Sequence, residues 1–92
     1  MNRAALLLAF AAGACAATPT PTRDELARAL GGRAPAAPTD ITHIACEPSR
    51  AGRAEVACQW RQREGRQWHG WRSHLALSGD GWRLIDNPER RP

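Results

Sequence analysis

The chain has 92 residues, 42% of them hydrophobic, with 13 basic side chains against 9 acidic ones and a formal net charge of +4. That length leads to the expectation of one domain with a small core. So modest a positive balance favours anionic surfaces only weakly, and with no RNP, helix-turn-helix or finger spacing in the chain, nucleic acid is excluded as the expected partner.

The first predicted element is an export signal over residues 1–17. It consists of Arg3, an apolar run at residues 4–12 and the small-residue junction Ala12-Gly13-Ala14-Cys15. A bilayer-spanning helix needs about 20 apolar residues, so this segment reads as a cleaved signal and not as a permanent membrane span. Nothing in it is amphipathic, which argues against the first helix of a cytosolic domain. The junction resembles the lipobox of bacterial lipoproteins, in which small residues precede a cysteine that is lipidated and becomes the new N-terminus. That resemblance implies lipid attachment at Cys15 and a membrane-anchored position on the periplasmic side. It departs from the lipobox pattern at Ala12, where leucine is favoured. Ordinary signal-peptidase cutting at Ala12-Gly13-Ala14 or Ala14-Cys15-Ala16, which would give a soluble periplasmic protein, is therefore the alternative.

With Cys15 lipidated or removed, Cys46 and Cys58 remain as a pair, and an even count suits an oxidising compartment. A disulfide between them would contribute about 3 kcal/mol by closing a short loop, which matters for a mature chain of such small size. The same cysteines with His43, His69 and His74 match no C-x-x-C or H-x-x-x-H spacing, so neither a metal nor another cofactor is expected.

Residues 18–39 read as a Thr/Pro tether, a short helix and a Pro-containing link. Thr22-Arg23-Asp24-Glu25 fits a capping box with acids in the first turn, Leu26, Ala27 and Leu30 share one helix face, and Gly31-Gly32 supplies the stop. From residue 40 the hydrophobic period becomes two. Strands are predicted at 40–47, 55–63, 67–77 and 82–86, with turns at 48–54, at Glu64-Gly65 and at Gly79-Asp80-Gly81. The expected fold is α+β: one short N-terminal helix packed on a four-stranded antiparallel β-meander, residues 40–92, with one disulfide, the helix and sheet forming a single domain.

Facing Cys46 with Cys58 sets Ile44 against Trp60 and Pro48 against Val56, and a Glu64-Gly65 turn sets Trp71 beside Cys58. Ser73, Leu75, Leu77, Trp82 and Leu84 then join the covered face. A one-residue slip would bury Arg72 and His74 instead. The opposite face carries Gln59 and Ile85 together with Arg61, Arg63, Trp68, Arg72, His74 and Arg83, and these last six form a candidate anionic-ligand face. Arginine grips carboxylate or phosphate with two parallel hydrogen bonds and an indole adds a stacking plane. The plainer reading is the solvated side of a sheet, neutralised in part by Glu55, Glu64 and Asp86. All the Lys+Arg residues are arginine, which in an alanine-rich chain reflects a GC-rich genome more than selection for guanidinium chemistry.

No catalytic set is legible. Ser73 and His74 are adjacent, and adjacent strand residues point to opposite faces, so they cannot act as nucleophile and base. The Cys58-x-Trp60, Trp68-x-x-Trp71 and Gly81-Trp82-Arg83-Leu84 pattern over residues 40–88 resembles small envelope proteins common in proteobacteria, and that resemblance implies no activity. The helix-then-meander order is also similar to cystatin-like folds, but no Q-x-V-x-G loop is present. The expectation is an exported, lipid-anchored, non-enzymatic binding or interaction module of the bacterial envelope, whose partner is an anionic envelope component or an acidic protein. The alternative is a secreted or periplasmic inhibitor of a hydrolase, working through loop residues such as Arg50 and Arg53.

Overall fold

The computed structural model describes residues 18–49 and 54–92. The expected signal, with Cys15, and the loop residues 50–53 lie outside them. Helix α1 (Arg23–Leu30) begins at the capping box the sequence predicts. The Glu25 amide donates to the Thr22 hydroxyl at 3.1 Å, and the Thr22 amide donates to Glu25 Oε1 at 2.9 Å. Two of the amides that a helix start leaves unpaired are thereby satisfied. Leu26 and Leu30, one turn apart, are fully buried, and Gly31 ends the helix with its amide on the Ala27 carbonyl.

After a short 3₁₀ turn (Pro38–Asp40), strands β1 (Ile41–Pro48), β2 (Glu55–Glu64), β3 (Gln67–Ser78) and β4 (Gly81–Leu84) pair antiparallel in chain order. A two-residue strand β5 (Glu89–Arg90) then pairs with β3 beyond β4, an element the sequence did not announce. Helix α1 lies across one face of this sheet, against β4 and β1. The fold is the α+β meander expected, with Cys46 opposite Cys58 and bonded to it, their Cα atoms 4.1 Å apart. Such a bridge belongs to a non-cytoplasmic protein. No helix among the described residues is long and apolar enough to cross a membrane.

Three details, two of register and one of burial, differ from expectation. The β2–β3 turn is Gly65-Arg66, with Glu64 paired to Gln67, so Trp71 stands opposite Trp60 and Ser73 opposite Cys58. Gly65 takes φ +67° at the first central position, where a two-residue hairpin favours glycine. The displacement is two residues, so every side chain keeps its face. In β1 a bulge sets His43 and Ile44 together against Trp60, because Thr42 pairs with Arg61 and Ala45 with Gln59. His43 sits at φ +55° and Ile41 turns inward to full burial, while Ile44, predicted to face Trp60, is only half-buried. Leu77, predicted in the core, is 41% exposed. An eight-residue helix is about 12 Å long and β3 about 40 Å, so the helix cannot cover the strand's ends.

The core comprises Leu26, Leu30, Ala34, Ile41, Val56, Cys58, Trp60 and Leu75. Gln62 is buried among them and fully engaged: the Trp60 indole donates to its Oε1 at 2.9 Å and its Nε2 donates to the Ala34 carbonyl at 3.2 Å. These bonds tie the post-helix link to β2. Past the end of the helix, Glu64 closes the same face. It accepts from the Trp71 indole at 2.9 Å and from Arg90 at 2.7 Å, and the Arg90 guanidinium lies 5.9 Å from the Trp71 ring centre.

Candidate functional site

The face away from the helix has no element of the described chain laid across it, and period-two alternation places Arg61, Arg63, Trp68, Arg72, His74 and Arg83 there, all exposed. They fall into separate groups. Arg61 stands opposite Gly70, Arg63 opposite Trp68, and Gln59 opposite Arg72, so Arg61, Arg63, Trp68 and Arg72 share the hairpin half of the sheet. Arg83 pairs with Ala76, six residues along β3 from Gly70, which is about 20 Å. Arg83 therefore cannot act on the same small ligand as Arg61.

Within the hairpin half the cations differ in their partners. Arg63 donates twice to Asp40 Oδ1, at 2.8 and 3.0 Å, and its guanidinium lies 5.8 Å from the Trp68 ring centre. Arg72 donates to Glu89 Oε1 through two nitrogens at 3.3 Å. Among the described residues no carboxylate pairs with Arg61 or with Arg83. Of the carboxylates expected to neutralise this face, Asp86 alone engages it, through His74. Glu64 lies on the covered side, and Asp40 and Glu89 take the role instead, brought close by the 3₁₀ turn and by β5.

Between Ile85 and Glu89 the chain leaves β3 and returns, setting residues 86–88 against Ser73 alone. Asp86 holds this detour. Its Oδ1 accepts from the Ser73 hydroxyl at 2.7 Å and from the His74 amide at 2.9 Å, while Oδ2 meets His74 Nδ1 at 2.7 Å. Desolvation pushes the Asp86 carboxyl upward, but the His74 amide, the Ser73 hydroxyl and the His74 ring outweigh it and hold the group below the ordinary carboxylate value. An ionised carboxylate only accepts, so the proton between this pair belongs to His74 Nδ1. The Ser73 hydroxyl is buried and bonded to the carboxylate, so the two neighbours meet through Asp86 and not as nucleophile and base.

A groove of about 350 Å³ runs along this region, lined by Glu47, Gln59, Arg72, His74, Asp86 and Glu89. Its lining mixes both charge signs, and two of its pairs, Arg72 with Glu89 and His74 with Asp86, already satisfy one another. Among the described residues no group of three or more His, Cys, Asp or Glu could hold a metal ion.

Sequence reasoning missed Gly70 and Arg91. The Arg91 amide donates to the Gly70 carbonyl at 2.8 Å, which continues the β5 register and puts the Arg91 side chain on the open face. A Cβ added to Gly70 would stand 3.2 Å from Arg91 Nη1 and 3.5 Å from its Cβ and Cδ. The Arg91 chain thus lies over the glycine. Asn87-Pro88 was the available signal, a break after which a further strand residue pair could begin. Comparison with protein-family models, with curated proteins and with solved structures finds no match to this chain.

Proposed function

We propose that the protein is an exported, lipid-anchored, non-enzymatic binding module of the bacterial envelope that presents the open face of its sheet to an anionic component. The observation that carries this reading is the uneven neutralisation of that face. Arg63 and Arg72 are held by Asp40 and Glu89, while Arg61 has no carboxylate partner among the described residues. The disulfide supports an oxidising compartment, and the lipobox-like junction at Cys15 supports the anchor. Carboxylate and phosphate are the groups that arginine recognises with paired hydrogen bonds.

The test uses mature protein from the producing bacterium, with an intact mass establishing acylation at Cys15. Binding is read by sedimentation with phosphatidylglycerol vesicles and with phosphatidylcholine vesicles, for wild type and for the Arg61→Glu, Arg63→Glu, Arg72→Glu triple variant. The expected result is at least a tenfold preference for the anionic vesicles that the folded triple variant loses. Equal binding to both vesicles, or a preference untouched by the reversal, overturns the cationic-face reading and gives precedence to an inhibitor acting through residues 50–53.

A further inference from the structure

Gly70 sits at the centre of a row that runs Thr42, Arg61, Gly70, Arg91 across the open face. Strands are spaced about 4.8 Å apart, so the Cα atoms of Arg61 and Arg91 are about 10 Å apart with a residue lacking a side chain between them. Arg91 fills part of that gap, with Nη1 3.2 Å from the position a Gly70 Cβ would occupy. Among the described residues neither guanidinium is paired with a carboxylate, whereas their neighbours Arg63, Arg72 and Arg90 all are. Two unpaired guanidiniums in one row across the sheet repel each other, and a doubly charged anion bound between them would remove that repulsion. Two residues before Gly70 on the same strand face stands Trp68, 37% exposed.

We infer that Arg61, Gly70 and Arg91 form a phosphate-binding slot, and that Trp68 beside it takes the apolar face of a sugar ring, so that the ligand is a phosphorylated hexose. The inference rests on the reading above and narrows it to one site and one chemistry. Gly70 is the specificity-determining position: even a methyl there stands 3.2 Å from Arg91 Nη1 and pushes the guanidinium outward, and a larger side chain takes its place over the strand. Its backbone conformation is not one reserved for glycine, so alanine changes the slot without straining the strand.

The experiment is an amide and indole NMR titration of the full mature protein with glucose 1-phosphate, inorganic phosphate and glucose. Vesicles carrying a phosphorylated glycolipid, set beside the free sugar phosphate, distinguish a lipid head group from a soluble metabolite as the source. The expected result is shifts centred on the Gly70 amide and the Trp68 indole, at least fivefold tighter binding of glucose 1-phosphate than of phosphate, and no response to glucose. Gly70→Ala and the Arg61→Gln, Arg91→Gln double variant should each weaken binding at least tenfold with unchanged spectra elsewhere. Unchanged affinity in the folded double variant overturns the slot, and equal affinity for phosphate and the sugar phosphate overturns the hexose. If these fail while the phosphatidylglycerol preference persists and falls on charge reversal, the slot is wrong and the cationic-face reading stands.

Discussion

Gln62 and Arg61 are neighbours on β2 that face opposite ways. Gln62 is 2% exposed and both ends of its amide are hydrogen-bonded, to Trp60 and to the Ala34 carbonyl. Arg61 lies in the open with no carboxylate partner among the described residues. Water explains the difference: a buried amide left unpaired costs about 1 to 3 kcal/mol, whereas an exposed guanidinium is hydrated at no such cost. Polar pairing on the covered face is therefore a requirement of folding. On the open face it is optional, and an unpaired cation there carries information about what the surface meets.

The largest test of that contrast is tryptophan removal. Trp60→Ala should lower stability by about 3 to 5 kcal/mol, while Trp68→Ala on the other face should change it by less than about 1 kcal/mol. Urea midpoints with fixed slopes measure both, and similar losses would show that the open face is also part of the core. Next in size is the disulfide, which ties the edge strand to the covered face. Reduction should cost about 3 kcal/mol in the same assay. A midpoint that ignores reductant would mean that the sheet and helix hold β1 unaided.

The smallest effect should come from acid. The Asp86 carboxyl titrates lower in the folded protein than when unfolded, so its contribution is complete above the unfolded carboxylate range, about pH 4, and disappears as pH falls through the lowered value. Half the side chain is exposed and screened, which keeps the effect under about 1 kcal/mol. The stability difference between wild type and Asp86→Asn should accordingly shrink between pH 6 and pH 3. A constant difference would mean that the detour at residues 86–88 is held by its backbone and not by the carboxylate.

Much of this architecture can be read from the chain because it depends on local rules. Thr22 and Glu25 cap their helix by a spacing of three, and Val56, Cys58 and Trp60 reach one face by alternation. Alternation fixes a face and leaves registers of equal parity undistinguished. That is why the hairpin could be misplaced by two residues while Ser73 and Leu75 still pointed inward. The bulge at His43 breaks parity itself; histidine enters the left-handed region more readily than most residues, but nothing in the sequence sets His43 apart from His69 or His74 in this respect. The candidate slot was half legible for the same reason. Arg61 and Trp68 lie on long periodic strands, but Arg91 follows a two-residue strand too short to show a period, and Gly70 acts by lacking a side chain.

The cystine also determines what happens to the stretch joining β1 to β2. Cys46 and Cys58 are bonded on the strand side of that stretch, so the edge strand stays attached whether the connection is cut or lengthened. A protease that nicks between Ser49 and Ala54 would leave two fragments that migrate as one until a reductant is added. The same position offers an insertion point for a foreign peptide, since doubling a loop costs only about 0.6 kcal/mol in closure entropy. The strand ends that would carry such a tag, Pro48 and Glu55, lie at the end of the sheet opposite the Gly65-Arg66 hairpin, well away from the arginine pair astride Gly70.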